Sequence, residues 1–377
     1  MKSAADTGWE VLYPPTTAGA WAAAGRYRRL LMPALVPASW CYQVVSNAVR
    51  GARSAANGSA PEGCGVVVSV GNLTVGGGGK TPLAMELVRS LAAAGARPVY
   101  TSRGYGGEAS RLDVVTVVPP EAGGRFAGPR HGVRIVDRHD DRLTALVGDE
   151  GAMAARRRPD VPALFGGNKP AVLEVAASLF SPTHVVLDDA FQSWGVWRDV
   201  DVVVLDGKDP FGSGWLLPAG QLREPPEALA RADVLGIAVE DGGELSTARA
   251  AIAAAAGVRR PSFGIVRRLW IEPVSAGPVV ALSGIARPGA FESQVAATGT
   301  GLTAAIRFPD HHRYRGQDVR WALEQADRLG AGQIVTTEKD WAKLVHFGPP
   351  PGRFVVAKLS LEFIGGDPLD YIKKAAD

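Results

Sequence analysis

The sequence predicts a doubly wound α/β fold built around a phosphate-binding loop, and three observations carry that prediction. A continuous apolar run, VVVSV (66–70), leads directly into GNLTVGGGGKTP (71–82). Two further apolar runs, HVVLDD (184–189) and VDVVVLD (200–206), each end in aspartate. Stretches of helical spacing alternate with such runs, the pattern of a parallel sheet with helices on both faces.

Length and composition bound the rest. A chain of 377 residues implies two or three units. A hydrophobic share of 46% with 21% charged residues fits a globular core, and a net charge of +3 gives no general field for a polyanion. No nucleic-acid partner is expected, and any basic site must be local. Cys41 and Cys64 have neither metal-type spacing nor a framework pattern, so they read as reduced thiols in a cytosolic compartment.

The elements follow in order. No charge falls between Leu30 and Val49, while Arg26, Arg28 and Arg29 precede the stretch and Arg50 and Arg53 follow it. Pro33 and Pro37 interrupt it, Gln43, Ser46 and Asn47 dilute it, and it starts too far from Met1 for a signal peptide. Three readings stay open: a helix lying in a membrane interface, a helix docked on the protein's own surface, and a span. Trp40 and Tyr42 beside basic flanks suit a headgroup boundary.

Residues 51–63 form a small-residue linker. The strand at 66–70 and the glycine loop lead to a helix over 83–94, with Leu83, Leu87, Val88 and Leu91 on one face and Pro82 in its first turn. A strand and glycine turn are expected at 97–107 and a strand at 113–118, then a polar, glycine-rich surface excursion at 119–145. Strands at 184–189, 200–206 and 234–239 complete this part. After Pro273 the pattern restarts with a strand (278–285), helix (289–299), strand (302–308), helix (318–330), and strand with turn (333–340). The expected division is therefore an N-terminal membrane-associated helical segment (1–55), a P-loop unit (56–272) and a smaller C-terminal α/β lobe (273–377).

The glycine loop carries the chemistry. Gly76, Gly77, Gly78 and Gly79 let backbone N–H groups approach phosphate oxygens. Lys80 is placed for the β- and γ-phosphates and the Thr81 hydroxyl for Mg²⁺. The glycine usual six positions before the lysine is Thr74 here. Asp188 and Asp189 close an apolar strand, where a carboxylate lies beside the phosphate site and can hold Mg²⁺. Asp149, in VGDE (147–150), is either a helix cap or a functional acid. His311 and His312 follow FPD and stay open between metal, catalytic and inert roles. Arg223 and Glu224 lie in LPAGQLREP (217–225), an anion-binding loop or a simple surface crossing.

Taken in order, GNLTVGGGGKTP, SRGYGG (102–107), VGDE, LDDAFQ (187–192), RDVDVVVLD (198–206), LLPAGQLREP (216–225), SGIARP (283–288), FPDHH (308–312) and TTEKD (336–340) closely resemble the tetraacyldisaccharide 4′-kinase family. The resemblance spans roughly residues 25–345. It implies a P-loop kinase fold of two α/β/α lobes with an N-terminal helix at the cytoplasmic face of the inner membrane. The implied activity is phosphorylation of the 4′-hydroxyl of tetraacyldisaccharide 1-phosphate by Mg-ATP, with no obligate protein partner. It further implies a catalytic pair, Asp149 with His311. Phosphate and metal fall to Lys80, Thr81, Asp188, Asp189 and Glu224, and substrate to Asn72, Arg103, Gln192 and Arg223.

The chain departs from the family pattern at Gly78 (threonine), Ala190 (glycine), Ser193 (histidine), Trp194 and Gly195 (basic residues), Gln221 (proline) and Gly151 (proline). Two rival classes stay in view: a partner-regulated P-loop switch, and a non-catalytic relative that binds the lipid precursor.

Overall fold

A computed structural model describes residues 9–14, 35–51 and 59–376, apart from 77, 113, 122–131, 241, 272–276 and 311. Two compact units divide the chain. Met32–Arg267 with Leu361–Asp377 form the P-loop unit, and Arg268–Ser360 with an N-terminal strand form the other.

In the P-loop unit, β2 (Val66–Gly71) lies between β7 (His184–Asp188) and β8 (Val200–Asp206), parallel to both. Beyond β8 come β9 (Val234–Val239) and the first half of β10 (Ser262–Ile271); beyond β7 come β3 (Pro98–Ser102) and β6 (Ala163–Phe165). The central strands are buried almost throughout, which is why they read as unbroken apolar runs. The order reverses at β2, so the loop leaving its carboxyl end opens into a crevice. Helix α2 (Lys80–Ala93) covers this point. It buries Leu83, Leu87, Val88 and Leu91 against the sheet, each contributing roughly 1.5–3 kcal/mol.

The stretch expected to be a surface excursion is partly structured. Val133–Ile135 form β5, parallel to β4 (Val115–Val118) at the sheet edge. Arg138 is 3% exposed, and its guanidinium donates to the carbonyls of Ala155 and Pro119. Helix α3 (Leu143–Arg157) is broken at Gly148, whose φ of 76° and ψ of 170° restart it at Asp149.

Residues 35–51 form helix α1. It belongs to the P-loop unit rather than to a separate segment, because its polar side chains bond to that unit. Trp40, Val44, Val45 and Val49 point outward, 41–68% exposed. Among the described residues no helix is long and apolar enough to cross a membrane. Cys41 is exposed, Cys64 is buried, and both are free.

The other unit has the order β1 (Glu10–Leu12), β12 (Leu302–Arg307), β11 (Val279–Ser283), β13 (Gln333–Thr337), β14 (Phe354–Ile364), all parallel. Its helices are α5 (Pro288–Ala297), α6 (Gly316–Arg328) and α7 (Glu338–Leu344). The division into units therefore places three segments differently from expectation. Glu10–Leu12 join this unit as an edge strand, anchored by Trp9 to Glu292 (3.2 Å). The division expected after residue 272 falls after Arg267. The last residues return to the P-loop unit, where Ile372 is fully buried and Phe363 and Tyr371 pack on Phe263.

Candidate active site

The glycine loop ends at Gly79, which caps α2 with φ 91°, a left-handed conformation that a side chain disfavours. Thr74 needs no such freedom. It sits in an extended bridge to Leu222, and both its N–H (2.8 Å) and its hydroxyl (3.0 Å) bond to Asn72 Oδ1, so a threonine serves where glycine is usual. Asn72 is thus a loop-shaping residue, 2% exposed. Gly77 lies outside the described residues. Gly78 is tight: a Cβ there falls 1.8 Å from Asn72 Nδ2.

The first two helical side chains turn toward the strand that ends in the paired aspartates. Thr81 Oγ1 lies 2.7 Å from Asp188 Oδ2 and 3.2 Å from Glu150 Oε2, and the Tyr100 hydroxyl donates to the same Asp188 oxygen at 2.8 Å. Burial pushes the Asp188 carboxyl up to about 6, against the Thr81 hydrogen bond and with the Glu150 charge adding to it. Burial, then Asp188, holds the Tyr100 phenol well above its ordinary value. Asp188 Oδ1 is buried with no hydrogen-bond partner among the described residues. A hydroxyl and carboxylate oxygens, one of them an orphan, are the hard donors that Mg²⁺ prefers.

Asp189 takes the opposite part. Its φ is 53°, and its Oδ1 receives Arg223 Nη1 at 2.8 Å with Lys80 Nζ at 3.7 Å. Burial alone raises this carboxyl, but Lys80 and Arg223 outweigh it and hold it below the ordinary range. Gln192 accepts from Arg223 (3.4 Å) and donates to the Asn72 carbonyl (3.0 Å). Asn72, Gln192, Arg223, Asp189 and Lys80 therefore form one connected set around the loop.

Arg103 stands exposed in the turn after β3, close enough to Lys169 to help depress it. That turn packs on the α3 break: a Cβ on Gly148 meets the Tyr105 carbonyl at 2.1 Å, so only glycine fits. The contact sets half-buried Asp149 beside Glu150, which reaches Thr81.

Glu224, which the family resemblance makes a metal ligand, faces cations in this structure: its carboxylate lies 3.0 Å from Arg231 and 3.7 Å from Arg50. Arg231 in turn stacks over Phe191 and Trp194, 4.5 and 4.4 Å from the ring centroids. Trp194, one of the departures from the family pattern, thus has a local role. His311 lies outside the described residues. His312 packs between Phe308 and Tyr314, with its ring on Asp318 at 3.1 Å.

Sequence reasoning missed Tyr100, Glu150, Arg231, Arg267 and Lys169. Arg267 donates to the Gly78 carbonyl at 3.0 Å. Lys169 opens helix α4 (Lys169–Phe180) and donates to the Asp188 carbonyl at 3.2 Å. Burial lowers it to about 8, with Asp189 and Asp188 opposing. A signal existed: a cation in a helix's first turn opposes the helix dipole and calls for an anion nearby.

Strand, glycine loop and helix, with Lys80 and Thr81 facing paired aspartates on the adjacent strand, define the class as a P-loop nucleotide-binding protein. The family model for tetraacyldisaccharide-1-P 4′-kinase matches residues 31–373. This chain belongs to that family. Among its relatives, the tetraacyldisaccharide 4′-kinase of Anaeromyxobacter sp. (strain Fw109-5) is 36% identical over 324 residues, 82% of this chain and 81% of that one. That of Paramagnetospirillum magneticum is 36% identical over 296 residues, 78% of this chain and 80% of the relative. The crystal structure of LpxK from Aquifex aeolicus in complex with ATP superposes with a TM-score of 0.65 at 23% identity. It covers 93% of this chain and 100% of that one, and shows the shared fold.

Proposed function

We propose that this chain phosphorylates the 4′-hydroxyl of tetraacyldisaccharide 1-phosphate with ATP, the reaction its family is named for. The observation that carries the reading is the junction of Lys80 and Thr81 with Asp189 and Asp188. Phosphoryl transfer asks mainly for positioning and charge neutralisation. Lys80 and the loop amides hold the β- and γ-phosphates. Thr81 and Asp188, including its buried Oδ1, would hold Mg²⁺, which would supply neutralisation of the phosphate charge. Asp189 keeps Lys80 and Arg223 in reach of the nucleotide.

Asp149 takes the proton of the acceptor hydroxyl, and exposed Arg103 receives an anionic group of the acceptor. The outward apolar face of α1 lies along the cytoplasmic surface of the inner membrane, where a tetraacylated acceptor resides. Four exposed apolar side chains on one helix support this placement.

Transfer of labelled γ-phosphate from ATP to the lipid disaccharide tests the reading. Transfer is expected in the wild type and is lost in Lys80→Ala. Asp149→Ala lowers kcat about 10²–10⁴-fold, with a smaller effect on ATP affinity. Hydrolysis without transfer, or hydrolysis that requires a protein partner, overturns it.

A further inference from the structure

Helix α1 does more than face outward. Its inner side bonds at three points to the loop that carries Arg223. Ser39, 2% exposed, donates to the Leu216 carbonyl at 2.9 Å and accepts from the Ala219 N–H at 3.2 Å. One turn on, the Tyr42 hydroxyl donates to the Arg223 carbonyl at 3.2 Å. At the far end Arg50 reaches Glu224.

The same loop is laced to the glycine loop on its other side. The Arg223 N–H donates to the Leu73 carbonyl at 2.7 Å, and the Val75 N–H donates to the Gln221 carbonyl at 2.8 Å. The Arg223 guanidinium reaches Asp189 and Gln192. Arg223 is therefore held at its carbonyl by α1, at its N–H by the phosphate loop, and at its side chain by Asp189 and Gln192. A single residue separates Tyr42 from the nucleotide machinery.

We infer that Tyr42, backed by Ser39, is a positioning residue for the phosphate site: it fixes the Arg223 backbone, so that Arg223 keeps its place on Leu73 and Asp189. The inference rests on the proposed nucleotide site but not on the identity of the acceptor. Its consequence is that α1, beyond any attachment to a surface, conditions how tightly the loop takes ATP. A helix that served attachment alone has no need to present hydroxyls to the backbone of this one loop.

Tyr42→Phe in the full-length protein removes one oxygen and keeps the ring. ATP affinity, measured by calorimetry with Mg²⁺ and no lipid, is expected to weaken about two- to tenfold, the range one such hydrogen bond contributes. Binding to anionic phospholipid vesicles is expected to stay as in the wild type. In an Arg223→Ala background Tyr42→Phe adds little, because the two act through one contact. Ser39→Ala serves as the second variant should Tyr42→Phe prove unstable, with the same expectation. Unchanged ATP affinity in both variants, or a loss fully additive with Arg223→Ala, overturns the inference. A wild type that binds ATP but transfers no phosphate overturns the proposed reaction and leaves this test intact.

Discussion

Thr81 Oγ1 and Asp188 Oδ2 lie 2.7 Å apart, joining the helix that follows the phosphate loop to the strand beside it. Burial raises the Asp188 carboxyl from the ordinary 3.8 to about 6. Between those values the folded protein holds a proton that the unfolded chain has lost, so stability falls as pH rises through the window. The cost is complete above about pH 6 and amounts to roughly 3 kcal/mol at most. Asp188→Asn removes it while keeping an oxygen for Thr81 and Tyr100. Without nucleotide or metal, this variant is expected to melt higher than the wild type at pH 8. The gap should close toward pH 4, and phosphate transfer should be lost. A lower melting temperature at pH 8 contradicts the assignment.

Gly78 stands where the family pattern has threonine, and Asn72 fills the space a Cβ needs. Asn72 also shapes the loop through Thr74. Gly78→Thr must displace that amide, so ATP KM is expected to rise several-fold. In an Asn72→Ala background the same substitution should cost much less. Equal costs in the two backgrounds mean that Asn72 moves aside freely.

What was legible in the sequence follows from range. VVVSV, HVVLD and VDVVVLD read as strands because parallel strands covered on both faces need no polar alternation. The contiguous loop gave Lys80 and Thr81, and the strand ending gave Asp188. Three-residue strands such as Glu10–Leu12, Val133–Ile135 and Ala163–Phe165 carry no periodic signal and exist through their neighbours. Tyr100, Glu150 and Lys169 meet Thr81 and Asp188 only through tertiary packing, so no local motif marked them. The Glu224 ion pairs were not legible, because Arg231 lies outside every recognised motif.

The outward face of α1 makes a separate prediction. Val44 and Val45 are 68% and 62% exposed, so changing them touches little packing. Val44→Asp with Val45→Asp is expected to leave the melting temperature nearly unchanged. Cosedimentation with anionic phospholipid vesicles should fall at least about tenfold, since two apolar groups leave the interface and two negative charges enter. Unaltered cosedimentation rules out this face as the membrane contact.

Glu224 separates ion pairing from metal binding. Its carboxylate is 8% exposed, whereas the Arg231 and Arg50 side chains are 28% and 36% exposed. Glu224→Gln keeps the shape and removes the charge, leaving Arg231 without its anion beside Phe191 and Trp194. Because the arginines still reach water, the expected loss is about 1 kcal/mol rather than that of a fully buried pair. The Mg²⁺ concentration for half-maximal transfer should stay within about twofold of wild type, because no metal contact is lost. A metal ligand behaves differently: its loss raises the Mg²⁺ requirement about tenfold or more, and stability is restored by added metal no better than in the wild type. A raised Mg²⁺ requirement at unchanged melting temperature returns Glu224 to the metal. A lowered melting temperature at unchanged Mg²⁺ response keeps it with Arg231 and Arg50, where its geometry places it.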